Sequence, residues 1–172
     1  MATSDDVLDA VQQLTSATGR LPSILEIAKE VGLTKQGVLH HFPTRAALDA
    51  AATRRALASV DAAMREAAAN GSPLETYLRL SAPTPGDHVV VLVLAAALRR
   101  GSEELAEEIE RTVSRWQAMI ADELGDPVRA EVVRLVGDGL FSEALLTGTP
   151  PSSGRLARLT AHLRGAPAKR HA

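Results

Sequence analysis

The chain has 172 residues, enough for a sizeable core or for one small module and a larger companion domain. Its 19 basic and 21 acidic side chains leave a net charge of −2, which excludes a generic polyanion binder but not a protein that sets a few cations beside phosphates. The absence of cysteine excludes disulfides and thiolate metal sites.

The opening Met-Ala-Thr-Ser-Asp-Asp lacks the basic and apolar parts of a signal peptide, so a soluble cytoplasmic protein is expected. A first helix is predicted from Ser4 or Asp5 to Ala17. Ser4 would cap it, Asp5 and Asp6 suit its positive end, and Val7, Leu8, Val11 and Leu14 form the buried stripe. Thr18-Gly19 closes it.

Residues Ser23 to Phe42 then spell two short helices across a tight glycine turn, the layout of a DNA-reading helix-turn-helix. Ser23 and Glu26 have the spacing of a capping box. Ile24, Ile27, Ala28 and Val31 build one apolar face, with Ala28 small where the next helix must cross. Gly32 ends the helix because it takes the left-handed backbone conformation at low cost. Leu33 plugs the angle, and Thr34 caps the second helix. That helix is expected to turn Val38, Leu39 and Phe42 inward and to leave Lys35, Gln36, His40 and His41 outside. Lys35 and Gln36 fall in its first turn, where side chains reach base edges in a major groove. A lysine can donate to guanine O6 and N7, and a glutamine can pair with adenine N6 and N7. Thr34, His40, His41 and Arg45 would hold phosphate, which positions without reading sequence. With Ser23 at the start of the first helix, the expected DNA-contacting set is Ser23, Thr34, Lys35, Gln36, His40, His41 and Arg45. Charge within the first 56 residues is balanced, so useful affinity would need two copies. Adjacent histidines point ~100° apart on a helix and lack a carboxylate at ligand spacing, so no metal is expected.

Beyond Pro43-Thr44 an alanine-rich fourth helix is predicted from Arg45 to about Ala69, ending before Asn70-Gly71. A short helix, Leu74 to Leu80, precedes a Pro/Gly loop. Asp87 would cap a buried helix from His88 to Arg100, whose apolar run Val89 to Leu98 is shorter than the ~20 residues a bilayer requires. The next helix opens at Ser102-Glu103-Glu104, places Leu105, Ile109, Val113, Trp116 and Ile120 on one face, and stops at Gly125. Its acidic stretch Glu103 to Glu110 alternates with apolar residues, as a solvated amphipathic face does, rather than forming a catalytic carboxylate pair. No Gly-x-Ser-x-Gly signature surrounds Ser59 or Ser142, so no catalytic residue and no cofactor are expected. Asp126-Pro127 opens a helix to about Thr147. Its apolar residues Val128, Val132, Leu135, Val136, Leu140, Ala144 and Leu145 form a stripe too broad for one buried face. Pro150-Pro151 breaks the chain before a last helix, Gly154 to Arg164, and a basic tail.

The segments Ile27-Ala28, Gly32-Leu33-Thr34-Lys35, Val38-Leu39-His40-His41-Phe42-Pro43-Thr44-Arg45 and Leu48 resemble the TetR family of bacterial transcriptional regulators. The resemblance is specific from about Leu8 to Leu57 and diffuse beyond. Leu39 stands where the family often has a phosphate-touching tyrosine, and Arg45 replaces its usual lysine. The implied architecture is all-α with about nine helices: a helix-turn-helix DNA-binding domain over 1–50 and a ligand-binding and dimerisation domain over 51–172. The resemblance implies a ligand-responsive repressor that binds a palindromic operator as a homodimer, and no membrane partner. The alternative is a helical ligand-binding or protein-interaction module that does not bind DNA. An effector pocket would draw on Met64, Tyr77, His88, Leu92, Arg99, Trp116, Met119 and Ile120. With aromatics at 2%, it suits an aliphatic or small polar-headed ligand anchored by His88 or Arg99. Val132, Val136, Leu140, Phe141, Leu156 and Leu159, on the last two helices, would form a four-helix dimer interface.

Overall fold

The computed structural model describes residues 2–82 and 103–165, and every regular element among them is a helix. These are α1 (Ser4–Thr18), α2 (Ile24–Glu30), α3 (Lys35–His41), α4 (Arg45–Ala69), α5 (Pro73–Leu80), α6 (Glu103–Leu124), α7 (Pro127–Thr147) and α8 (Ser153–Arg164). The helix expected from His88 to Arg100 and the basic tail lie outside the described residues. Among the described residues, no helix is long and apolar enough to cross a membrane. They fall into two compact units, 2–59 with 103–111 and 60–82 with 112–165.

In the first unit, α1 is capped by Thr3 rather than by Ser4. The Thr3 hydroxyl accepts from the Asp6 N–H at 3.2 Å, and the Asp6 carboxylate accepts from the Thr3 N–H at 2.7 Å. Both residues are good caps, but only Thr3 has an acid three positions on to close the box; Ser4 has Val7 there. The box at α2 forms as its spacing predicts, with Glu26 N–H on the Ser23 hydroxyl at 3.2 Å and Ser23 N–H on the Glu26 carboxylate at 2.7 Å. At the far end of α2, Leu33 N–H reaches the Ala28 carbonyl at 2.8 Å and Gly32 N–H the Lys29 carbonyl at 3.4 Å, a Schellman turn with Gly32 at φ 68°. Val7, Ile27, Val38 and Leu48 are fully enclosed in the resulting core, with Leu8, Val11, Ala28 and Phe42 around them. Leu39 differs from its expectation: it is half-buried and stands outside this core. Seven residues make only two turns of α3, so Val38 and Phe42, one turn apart, complete its inward face without it.

The Arg20 guanidinium pairs with Glu26 across the turn before α2. Together with the Ser23 N–H it holds the Glu26 acid down from 4.5 to about 2. A depressed carboxylate stabilises the fold above its unfolded value, and that contribution disappears as pH falls through the folded one. Wild type should therefore melt above Glu26→Gln near neutral pH, with the gap closing between about pH 4.5 and about pH 2. Thermal melts across that range check this, and a pH-independent gap would detach the carboxylate from stability.

In the second unit, α5 packs on α7 and α8. Pro73 starts α5, and Ser72 makes no side-chain cap. The orphan Leu74 N–H is instead taken by Glu123 of α6 at 2.7 Å, a cap supplied from 49 residues away. Gly137 marks the crossing of α7 over α5, for a β-carbon there would lie 2.5 Å from the Tyr77 ring and 2.6 Å from the Ser81 hydroxyl. Met64, Leu74, Leu78, Ile120, Ala130 and Val133 have no exposed surface. Asp61 of α4 sits among them and accepts from the Trp116 indole N–H at 3.0 Å and from Arg115 at 3.2 Å. Burial alone would raise the Asp61 acid, but these donors outweigh it and hold it below its ordinary value.

Candidate nucleic-acid interface

The three-helix start of the first unit presents α3 with its outer face uncovered. Thr34 caps it, accepting the Gly37 N–H at 3.0 Å, and keeps its own hydroxyl proton available to donate. Lys35, Gln36 and His40 are exposed. Among the described residues, nothing holds the side chains of Lys35 and Gln36.

The other cations of residues 2–56 are mostly committed. Arg20 pairs with Glu26, Arg45 with Asp49, Arg55 with Asp9, and Arg54 with Glu104 and Glu108. Lys29 and Lys35 are the two that no ion pair holds among the described residues. Four arginines thus neutralise neighbours, while Lys35 stays open at the start of the reading helix.

Two expected contacts stand differently. His41 is half-buried rather than outside, with Nδ1 3.2 Å from the Ser4 hydroxyl and its ring edge-on to His40 at 6.0 Å. It ties α3 to the start of α1, so only its other nitrogen remains for a phosphate. Arg45 donates Nε to Asp49 at 2.8 Å and an Nη to the Pro22 carbonyl, which turns its fork inward. The i,i+4 spacing of Arg45 and Asp49 was the sequence signal for that pairing. Ser23 is exposed, and its hydroxyl accepts the Glu26 N–H in the α2 cap while keeping its proton to donate.

Of the pocket residues, Met64 and Ile120 are fully buried and Met119 is half-buried. Trp116 bonds Asp61, and the Tyr77 hydroxyl donates to Asp138 at 3.1 Å. Burial, with Asp138 beside it, pushes the Tyr77 phenol well above its ordinary value. His88, Leu92 and Arg99 lie outside the described residues. Among the described residues, no cluster of three or more His, Asp or Glu could hold a metal.

The expected dimer residues divide by face. Leu140 is buried at 3% against its own subunit, a correction to its place in an interface. Its face of α7, with Ala130, Val133, Gly137 and Ala144, is the one packed inward. Val136, Phe141, Leu156 and Leu159 are half-buried. The opposite face is open: Val128 is 69% exposed, Val132 43%, Leu135 55% and Leu146 88%.

Residues 71–166 match a family model described as the tetracyclin repressor-like, C-terminal domain. The chain belongs to the TetR family. TetR-family proteins are transcriptional regulators, and this chain is one of them rather than an enzyme. Solved structures share the TetR fold along nearly the whole chain. A transcriptional regulator from Rhodococcus sp. Rha1 is 21% identical, with a TM-score of 0.73 and 95% of each chain covered. A TetR-family member from Streptomyces coelicolor A3 is 22% identical, with a TM-score of 0.71, covering 94% of this chain and 98% of that one. The multidrug binding protein EbrR complexed with ethidium is 23% identical, with a TM-score of 0.69, covering 95% and 99%. No curated protein sequence matches the chain.

Proposed function

We propose that the chain is a ligand-responsive repressor of the cytoplasm that binds a palindromic operator as a homodimer. The observation that carries the DNA reading is the uncovered first turn of α3. Among the described residues nothing engages Lys35 and Gln36, on a helix whose core is complete without them, beside exposed His40 and the Thr34 hydroxyl. Exposed side chains that no described residue engages, on an element that fits a major groove, support a base-reading role. His40, His41, Ser23 and Thr34 flank them as phosphate contacts.

Dimerisation is supported by α7. Val128, Val132, Leu135, Gly139, Ser142 and Leu146 follow one another at alternating spacings of four and three, a seam that runs the length of the helix. The small Gly139 and Ser142 at its middle let a second helix approach closely. The effector reading takes support from the ligand-bound EbrR structure, which shares the fold. In this proposal a small molecule would bind in the second unit, near Met64, Trp116, Met119 and Ile120.

The test uses a duplex selected from a random pool by the wild-type protein. Gln36→Ala should flatten preference at one base pair per half-site, a loss of about 1–3 kcal/mol in discrimination, and leave binding to a scrambled duplex unchanged. Unaltered preference in that variant would take α3 out of the groove. With Lys35 on a base edge, Lys29 is the one lysine or arginine of residues 2–56 left outside an ion pair among the described residues, so the salt dependence should be shallow, about two phosphates for the dimer.

A further inference from the structure

We propose that Arg45 and Asp49 form a clasp that sets the angle at which α2 and α3 meet DNA, so that Arg45 positions the reading helix rather than holding phosphate. The proposal rests on the DNA-binding reading above. Residues 22–45 contain the whole helix-turn-helix, and one guanidinium closes that stretch at both ends. Its Nε donates to Asp49 on α4 at 2.8 Å, and an Nη donates to the carbonyl of Pro22, immediately before the Ser23 cap of α2. Pro22 is buried, the Asp49 side chain is 1% exposed, and that of Arg45 is 25% exposed.

Three physical points make this a positioning device. A phosphate competing for Arg45 would have to draw the guanidinium away from a carboxylate that is 1% exposed, where an ion pair costs more to break than at the surface. The planar fork reaches a carboxylate and a carbonyl in different directions at once, which a lysine ammonium on a flexible stem does not reproduce. Finally, α3 is held at its start by the Schellman turn and at its end by the three residues 42–44. The joint between Pro22 and α4 therefore limits how the helix pair can tilt.

The experiment compares full-length wild type, Arg45→Lys and Asp49→Asn. Each is titrated against the selected duplex and a scrambled duplex over a range of salt, with amide hydrogen exchange of 35–41 measured without DNA. Asp49→Asn removes a negative charge from the head, so a phosphate-gripping Arg45 would be freed and both duplexes would bind more tightly. The clasp predicts the opposite sign. Both variants lose about 5- to 150-fold on the selected duplex, keep scrambled-duplex affinity within about twofold, and exchange the 35–41 amides faster.

Tighter binding by Asp49→Asn to both duplexes, or wild-type exchange rates at 35–41, overturns the proposal. If Asp49→Asn loses its helical circular dichroism, Arg45→Lys decides. The clasp predicts its specific loss with the salt slope kept, and near-wild-type binding overturns it. Should the wild type select no duplex, the DNA reading fails, and amide exchange still decides the clasp.

Discussion

Leu135→Arg yields a folded monomer, whereas Leu140→Arg unfolds the unit that contains it. The two leucines are five residues apart on α7, a separation that turns them to different sides of the helix. Leu135 is 55% exposed in the seam with Val128, Val132 and Leu146, so an arginine there keeps its head in water within the subunit. In the proposed dimer the same guanidinium would be desolvated against an apolar partner helix without a counter-ion, a cost large enough to separate the subunits. Leu140 is 3% exposed among Ala130, Val133, Gly137 and Ala144. An arginine there buries an unpaired charge and exceeds the local volume, a loss above about 4 kcal/mol in a unit whose total stability is of the order of 5–15 kcal/mol. Sedimentation and circular dichroism separate the outcomes. A Leu135→Arg protein that is folded and still dimeric would move the interface off this seam, and a folded Leu140→Arg protein would refute the inward face.

Gly137→Ala and Gly139→Ala shift the melting temperature in opposite directions although the chemical change is the same. A helical glycine replaced by alanine gains about 0.5–1 kcal/mol from backbone entropy alone. At Gly139 a β-carbon meets nothing within 4 Å, so that gain survives in the subunit. At Gly137 it meets a Tyr77 ring carbon at 2.5 Å and the Ser81 hydroxyl oxygen at 2.6 Å. Neither neighbour is free to give way. The Tyr77 hydroxyl is held by Asp138 at 3.1 Å, and the Ser81 hydroxyl by the Tyr77 carbonyl at 2.8 Å. Forcing α7 off α5 costs about 1–3 kcal/mol, more than the entropy returns. The comparison is cleanest in the Leu135→Arg background, where the seam has no partner. Equal shifts at the two positions would mean that α5 and α7 do not meet at Gly137.

What the sequence alone determined is what one turn of chain decides. The Ser23–Glu26 box, the Gly32 turn, the Thr34 cap and the Asp126-Pro127 start each depend on hydrogen bonds that close within a few residues. They placed α2, α3 and the start of α7 before any packing was known, and with them the exposed Lys35 and Gln36. Even the α1 cap, read as Ser4, needed only the acid at the third position to settle on Thr3.

Contacts between residues far apart in the chain decided the rest. Periodicity showed that α7 has more apolar surface than one face can hold, but not which half meets α5. That half was settled by Tyr77 and Ser81, which leave room at Gly137 for a hydrogen and nothing larger. Leu140 went inward with it and Leu135 did not. Glu123 capping α5, Trp116 on Asp61 and Arg45 on the Pro22 carbonyl likewise join positions that share no local pattern. Each side chain carries the same chemistry in the unfolded chain, and only the fold chooses whether an arginine meets a carboxylate or is left for DNA.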